Sequence, residues 1–330
     1  MFRRILVPLD GSPPAERALS VAARLARALN GTLILVQVVQ PPLQPATSLA
    51  PPLEVEEEIL SEELERATTY LAQMTQQPEL AGIRHETAAL AGFPAEQILD
   101  AVDTHQADSM ILCSHGRTGL LRWALGSVAQ RVVHHASVPV LLLHQQGPTL
   151  ATDAQRPLRA LIPLDGSKQA EAAVEPAATL VGALAPQGQG ILHLVQVVRL
   201  PRGEPEAALR EAEVYLSRTA ETLRKGPLAH LQVTWSAISD KDIAGALVDL
   251  AQSGQTSQDA GSTSSFDLIA MATHGRGGLQ RWVMGSVTER VLSASKLPLL
   301  VVRPKEVADT HWFHADSAVQ GAVKSKRPSS

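Results

Sequence analysis

The sequence predicts an α/β fold built from two tandem copies of a doubly wound domain, each with a five-stranded parallel sheet. Three observations lead to this prediction. The chain has 330 residues, which corresponds to about two domains of ordinary size. Four blocks of sequence occur twice, and each copy alternates short apolar runs with helical patterns. Such alternation is typical of a parallel sheet that is covered by helices on both faces.

The four repeated blocks keep the same order and nearly the same offset. RRILVPLDGS returns as LRALIPLDGS, LILVQVVQ as LHLVQVVR, SHGRTGLLRWALGSVAQRVV as THGRGGLQRWVMGSVTERVL, and SVPVLLL as KLPLLVV. We interpret this as duplication of a whole domain. The predicted boundaries are residues 1–146 for the first domain, 147–157 for a polar linker, 158–304 for the second domain and 305–330 for a disordered tail.

The first copy opens with an apolar strand at residues 3–9, which an Asp-Gly-Ser turn ends. Ser12 is followed by two prolines, a pattern typical of an N-cap and the first turn of a helix. The apolar spacing over residues 15–30 predicts that helix, and an Asn-Gly pair closes it. The near-continuous apolar run at 32–39 predicts a strand that is buried on both faces.

The rest of the first copy continues the same alternation after a proline-rich loop, where regular structure is disfavoured. Further helices are predicted at 54–77, 94–105 and 127–135, and further strands at 83–90, 108–113 and 138–143. The second copy follows the same path, with a shorter loop after Val198. A Gly/Ser/Gln-rich insert at 253–265 predicts a flexible surface loop there.

Composition narrows the class of protein. With 29 Lys and Arg against 33 Asp and Glu, the net charge is −4, so the chain lacks the basic excess that nucleic-acid binding needs. No stretch reaches the roughly 20 apolar residues that span a bilayer, and the single cysteine cannot form an intramolecular disulfide. We therefore expect a cytoplasmic protein with neither a nucleic-acid nor a membrane partner.

The loop after the fourth strand carries the strongest chemical signal. It reads SHG at 114–116, nine residues and then GS at 126–127, and the second copy repeats this spacing at 273–275 and 285–286. Gly116, the glycine of SHG, lets backbone N–H groups approach an anion. The GS pair opens a helix whose unpaired amides favour phosphate. A plain loop with turn glycines and an N-cap serine is the alternative, and the repetition in both copies favours phosphate binding.

An aspartate follows the first strand of each copy, beside this loop. Asp10 and Asp165 end buried strands, where a carboxylate can accept hydrogen bonds from ribose hydroxyls, as acidic residues do in other nucleotide-binding folds. The alternative is that each aspartate only caps the turn into the following helix.

These blocks resemble the universal stress protein family in its tandem two-domain form, with a Rossmann-like fold similar to that of the adenine nucleotide alpha hydrolases. The resemblance covers the chain except for the linker, the insert and the tail. The family's ATP-binding branch has the pattern Gly, two residues, Gly, nine residues, Gly-Ser/Thr. Both copies match it from the second glycine onward, but Cys113 and Ala272 replace the first glycine.

The resemblance implies a binding site for ATP, or for ADP or AMP, with or without Mg²⁺, in each copy. The aspartates would face the ribose and adenine, Val38 and Val197 would meet the adenine edge through their backbones, and the loop glycines, serines and arginines would face the phosphates. The candidate binding residues are Pro8, Leu9, Asp10, Val38, Cys113, His115, Gly116, Arg117, Gly126 and Ser127, with Pro163, Leu164, Asp165, Val197, Ala272, His274, Gly275, Arg276, Gly285 and Ser286 in the second copy.

We predict no catalytic residues and at most slow ATP hydrolysis, because the loops offer no clear base. We predict no metal-ligating residues either, because no Cys/His pairs have the spacing of a metal site. The family also implies that the two domains pair through their last strands as a pseudo-dimer, while pairing of two chains stays open. A nucleotide-free interaction scaffold is the main alternative function. An adenylate-forming enzyme is a third, but it would need a Ser-Gly-Gly-x-Asp loop that neither copy contains.

Overall fold

The computed structural model of the chain describes residues 1–41, 53–114, 125–145, 147–148, 150, 156–185, 188–199, 205–225, 230–254, 265–273 and 284–304. The first half contains β1 (Arg4–Leu9), α1 (Pro13–Leu29), β2 (Thr32–Val39), α2 (Leu53–Thr75), a short 3-10 helix (Pro78–Leu80), β3 (Arg84–Ala91), α3 (Pro94–Thr104), β4 (Ser109–Cys113), α4 (Ser127–His135) and β5 (Val140–Leu143).

The second half repeats this order with one difference at its first helix. It contains β6 (Leu158–Pro163), α5 (Lys168–Glu171), α6 (Val174–Leu184), β7 (Gly190–Val198), α7 (Pro205–Lys225), β8 (Gln232–Ser239), α8 (Ile243–Ser253), β9 (Leu268–Ala272), α9 (Ser286–Ala294) and β10 (Leu299–Val302). The helices α5 and α6 together replace the single α1. Pro176 explains the break, because it has no N–H to donate to the carbonyl of Ala172.

The strands form one ten-stranded sheet in the order β3-β2-β1-β4-β5-β10-β9-β6-β7-β8. Every neighbouring pair within a half is parallel. The two halves meet where β5 and β10 pair antiparallel, with Leu141 opposite Leu300. The fold prediction is therefore confirmed: each half contributes five parallel strands of a doubly wound α/β fold.

Helices cover both faces of the sheet, and each face buries its own apolar core. Buried residues of α1, α6 and α7 pack on one face together with Leu33 and Leu35 of β2. Those of α3, α4, α8 and α9 pack on the other face with Ile34 and Val36. Side chains of a strand point to alternate faces, so the near-continuous apolar run of β2 supplies both cores.

Local sequence signals place the ends of α1. The hydroxyl of Ser12 accepts a hydrogen bond from the N–H of Ala15, 3.4 Å away, and prolines occupy the first turn, as predicted. Asn30 ends the helix with a left-handed backbone, φ 51°, a conformation that asparagine tolerates better than most residues. The second half repeats the N-cap, where Ser167 accepts from the N–H of Ala170 at 3.2 Å.

Candidate functional site

The strand order reverses next to β1, because β2 lies on one side of it and β4 on the other. In open α/β sheets, ligands bind beyond the carboxyl ends of the strands at such a reversal. In the first half this point lies between Leu9 and Cys113, the last residues of β1 and β4. The corresponding strands of the second half are β6 and β9.

Asp10 and Asp165 follow these first strands and fold back on their own turns. The Oδ1 atom of Asp10 accepts from the backbone N–H of Ser12 at 3.0 Å and from its hydroxyl at 2.6 Å. Asp165 does the same with Ser167, at 3.0 and 2.5 Å. The turn-capping role that the sequence left open is therefore present in both halves, and it engages one carboxylate oxygen of each aspartate.

The helix that follows the glycine loop begins in the same way in both halves. The N–H of Gly126 donates to the carbonyl of Ser114 at 2.9 Å, and its own carbonyl accepts from the N–H of Gln130. Gly285 repeats this geometry, with its N–H 2.7 Å from the carbonyl of Thr273. Ser127 and Ser286 are the first helical residues. The amides of such a first turn have no acceptor within the helix, and the helix dipole makes this end attractive to phosphate.

The two residues that stand in place of a glycine are compatible with their backbones. Cys113 and Ala272 are the buried last residues of β4 and β9. Among the described residues other than glycine, positive φ occurs only at Phe2, Asn30 and Gln106. Neither position therefore needs glycine for conformational reasons, and the difference that remains is the presence of a Cβ.

A cavity of about 770 Å³ joins these features in the first half. It runs along the carboxyl ends of β1, β2 and β4 and between α2 on one face and α3 and α4 on the other. Seven of the predicted residues line it: Pro8, Leu9, Asp10, Val38, Cys113, Gly126 and Ser127. The structure thus brings together residues that are up to 119 positions apart in the chain.

Sequence reasoning missed the contribution of α2 to this cavity. Glu63, Arg66, Ala67 and Tyr70 line it from one side, at the three- and four-residue spacing of one helix face. This spacing is the signal that was available, but nothing in the sequence places α2 over the carboxyl ends of the strands. The guanidinium of Arg66 is exposed and pairs with Glu63 at 2.7 Å on the same helix.

A tyrosine ties the covering helix to the first helix in each half. The hydroxyl of Tyr70 in α2 donates to Glu16 at 2.9 Å, and that of Tyr215 in α7 donates to Glu171 at 2.8 Å. Burial, reinforced by the hydrogen bond to the Glu171 carboxylate, raises the pKa of Tyr215 far above its ordinary value. The phenol of Tyr215 is therefore held as a donor, and Tyr70 lines the cavity of the first half.

The second half places its predicted residues at equivalent positions. Pro163 ends β6, and Leu164 and Asp165 follow it; Val197 lies in β7, Ala272 ends β9, and Gly285 and Ser286 start α9. The remaining predictions fall in the glycine loops, which lie outside the described residues. These are His115, Gly116, Arg117, His274, Gly275 and Arg276.

Two further properties concern only the part of the chain that the structure describes. No group of three or more His, Cys, Asp or Glu side chains there could hold a metal ion. No helix there is long and apolar enough to cross a membrane.

Comparison with known proteins gives a consistent family. The model of the universal stress protein family matches twice, at residues 1–144 and 158–303. A universal stress protein of Methanocaldococcus jannaschii is 32% identical over 144 residues, which are 43% of this chain and 82% of that protein. One of Mycolicibacterium smegmatis is 26% identical over 309 residues, 91% of this chain and 97% of that one.

A solved structure is similar over nearly the whole chain. It is a universal stress protein from Archaeoglobus fulgidus, 22% identical, with a TM-score of 0.63, and the match covers 92% of this chain and 99% of that one. At this level of identity the likeness concerns the fold, and it agrees with the doubly wound sheet described above.

Proposed function

The chain belongs to the universal stress protein family in its tandem two-domain form, and on this basis we propose that it binds ATP or a related adenine nucleotide at up to two sites. The observation that carries the proposal is the cavity of the first half. It joins the carboxylate of Asp10, the end of β4 and the start of α4 at the reversal of strand order.

The size and chemistry of the cavity suit a nucleotide. Its volume of about 770 Å³ lies within the range of about 300–1,000 Å³ that small-molecule sites occupy. The start of α4 supplies amides for phosphate at one end, and apolar side chains such as Val38 and Ile98 line other parts. The carboxylate of Asp10 is the group that we assign to a ribose hydroxyl.

We propose a regulatory rather than a catalytic role in the stress response for the nucleotide, in the cytoplasm. Ligand at 100 times its Kd would stabilise the folded chain by about 2.7 kcal/mol. Such an increase in the free energy of unfolding is enough to make protein stability, or the choice of a partner, depend on the nucleotide concentration. Pairing of the two halves through β5 and β10 belongs to the same proposal.

A nucleotide-free interaction scaffold is the second candidate function. The observation that favours it is Cys113, whose side chain lines the cavity where the family's ATP-binding pattern has a glycine. Its Cβ and sulfur occupy space that a ribose or a first phosphate would otherwise have. Under this alternative, the two domains serve partner proteins and the cavity takes no nucleotide.

A thermal-shift titration with ATP-Mg²⁺ separates the two functions. We expect millimolar ATP to raise the melting temperature of the wild-type chain. The Gly126→Val/Gly285→Val variant should lose this shift, because a branched side chain at each helix start blocks the approach of phosphate. Each single variant is the matched control, and it should bind half as many nucleotides per chain as the wild type. Circular dichroism confirms that the variants are folded.

Cys113 provides a second readout that is specific for the first half. It is the single cysteine of the chain, it is 8% exposed, and it lines the cavity. ATP should slow its reaction with a thiol reagent. If ATP leaves both the melting temperature and the labelling rate unchanged, the scaffold is the better function.

A further inference from the structure

The second half buries a histidine at a place where the first half has an isoleucine. His193 lies in β7 and is fully buried. The repeat puts Ile34 of β2, which is also fully buried, at the same position. A histidine in a core position brings two polar ring nitrogens and a group that titrates near neutral pH. The second core can therefore respond to a proton at a position where the first cannot.

Both ring nitrogens of His193 lie within hydrogen-bond distance of hydroxyls on one neighbouring strand. Nδ1 is 2.7 Å from Oγ1 of Thr234, and Nε2 is 2.9 Å from the Oγ atom of Ser236. Both partners belong to β8, which forms the outer edge of the described sheet next to β7. The imidazole thus links the edge strand of the second half to the strand beneath it.

This pair of hydroxyls suits a neutral imidazole. A neutral ring accepts a hydrogen bond at one nitrogen and donates one at the other, so one hydroxyl donates and the other accepts. A protonated ring donates at both nitrogens. The hydrogen of the hydroxyl that had donated then loses its acceptor, which costs free energy inside the protein. The hydrogen bonds to β8 therefore favour the uncharged ring.

A positive charge already lies close to the ring. The His193 and Phe266 rings are 5.5 Å apart, centroid to centroid, and the guanidinium of Arg159 lies 4.9 Å from the centroid of the same Phe266 ring. Arg159 belongs to β6 and is 3% exposed. An imidazolium at His193 would add a second cation to this cluster, and burial itself disfavours the charged form of histidine.

The carboxylates of the surrounding elements do not remove this positive excess. Asp267, just before β9, accepts from the backbone N–H of Arg159 at 2.8 Å and pairs with the guanidinium of Arg156. Two arginines and one aspartate are thus grouped on this side of the ring. Asp249 of α8, the helix that packs on β7, is exposed, and β8 contains no titratable side chain.

We propose that His193 is a pH-sensitive switch at the outer edge of the second half: the neutral ring holds β8 against β7, and acid releases β8 because the ring takes up its proton only when the two strands separate. The switch is confined to the second half, since Ile34 cannot titrate. It is independent of the proposed nucleotide site and gives the chain a separate response to acid.

The size of the response follows from proton linkage. A histidine in a separated strand ionises near its ordinary pKa of about 6.5, whereas the buried ring stays neutral. Below that pH the open form binds a proton that the closed form lacks, so the open population grows as the pH falls. Between pH 7.5 and pH 5.0 this growth is about thirtyfold for one histidine.

Hydrogen exchange of the full-length chain, followed by mass spectrometry and corrected for intrinsic exchange rates, tests the switch. From pH 7.5 to pH 5.0, the protection of peptides from β8 should fall at least tenfold in the wild type. In His193→Ile, which carries the residue of the first half, it should fall less than threefold. Peptides from β3, the opposite edge strand, should change less than threefold in both proteins.

The pH dependence separates a switch from a histidine that only fills the core. A purely structural role predicts that His193→Ile changes the protection of β8 equally at both pH values. His85→Ile, at an exposed position of β3, is the matched control and should keep the wild-type response. His193→Gln, whose side chain does not titrate, replaces the isoleucine variant if that one fails to fold.

Two results overturn the inference. If β8 of the wild type keeps its protection at pH 5.0, or loses it equally in the two His193 variants, this ring does not control the edge strand. If nitrogen-15 NMR detects the imidazolium of His193 at pH 5.0 while β8 stays fully protected, the ring takes up its proton without strand separation and the switch is wrong.

Discussion

At the scale of single residues, the two tyrosines form equivalent hydrogen bonds at equivalent positions of the two halves. Tyr70 and Tyr215 each donate to a glutamate of the first helix in their half, Glu16 and Glu171. A phenol can donate only while it is protonated. The contact between the covering helix and the first helix is therefore sensitive to high pH, and it offers a direct test of the side-chain positions.

We predict that Tyr215 resists ionisation as long as the chain is folded. Burial and the Glu171 carboxylate raise its pKa, while a tyrosine in the unfolded chain ionises near its ordinary pKa of about 10. Above that pH the folded state holds the proton that the unfolded state loses, so the free energy of unfolding falls as pH rises. This contribution to stability is fully present below pH 10.

The measurement is phenolate absorbance in the Tyr70→Phe variant, where Tyr215 is the one remaining tyrosine of two. At about one pH unit above the ordinary tyrosine pKa of about 10, we expect the folded protein to contain no phenolate. Phenolate should form there only when the protein unfolds. The Tyr215→Phe variant is the control, and its stability should depend less on pH in this range. Phenolate that forms near pH 10 in a folded chain would contradict the prediction.

The sequence allowed some of these residues to be predicted and not others. Asp10 and Ser12 act through partners within three positions, and the N–H of Gly126 donates to the carbonyl of Ser114, which belongs to the same motif, so local patterns identify these residues. Tyr70 carries only the spacing of one helix face as a signal, because its contact with the cavity depends on which helix covers the carboxyl end of β2. That packing is a long-range property, and a single sequence does not encode it in any short motif.

At the scale of elements, boundaries were predicted well where one signal acts alone. The strand at Thr32–Val39 and the helix at Ser127–His135 have the predicted bounds, because an Asn-Gly pair and a Gly-Ser pair define their starts. Symmetry between the copies misled the prediction at residues 168–184. Pro176 divides that helix into α5 and α6, although the repeat suggested one continuous helix there.

The segment predicted as a linker is held by α1 over its first residues. The guanidinium of Arg17 donates to the carbonyls of Gln145 and Gly147, the latter at 3.0 Å. Arg24 donates to the carbonyl of Leu150 at 2.8 Å, and the Leu150 side chain is buried in the core. Polar composition suggested a simple connection, whereas these contacts attach its first part to the first half.

We predict that Arg17→Met lowers the free energy of unfolding by about 1–3 kcal/mol, because the carbonyls of a part-buried segment lose a charged donor. Methionine keeps much of the apolar stem of arginine, so packing changes little. Urea unfolding gives the magnitude. Limited proteolysis should show faster cleavage between residues 145 and 156.

Arg27→Met is the matched control on the same helix. Arg27 is exposed and donates to the carbonyl of Glu79 rather than to the linker, so its loss should leave cleavage of the linker unchanged. Equal proteolysis rates for the two variants would show that Arg17 does not hold the segment.

At the scale of the whole molecule, the halves share one sheet and both of the apolar cores that cover its faces. Leu141 and Leu300 face each other across the antiparallel pair of β5 and β10, and both are fully buried. Helices α1 and α6 also pack against each other across the boundary. Apolar burial of this kind is the main source of stability in domain association, so the covalent connection is not what we expect to hold the halves together.

We predict that cutting the chain leaves the two halves associated. A protease site placed at residues 151–155 lies after the part of the linker that α1 holds, so cleavage spares those contacts. The fragments should elute together in size-exclusion chromatography, at the volume of the uncut chain, even after dilution. The Leu141→Asp variant buries an unpaired charge at the junction, which is strongly unfavourable. Its fragments should separate after cleavage, provided that circular dichroism shows the uncut variant to be folded. Wild-type fragments that separate on dilution would mean that the linker, and not the pairing of β5 with β10, keeps the two domains in one sheet.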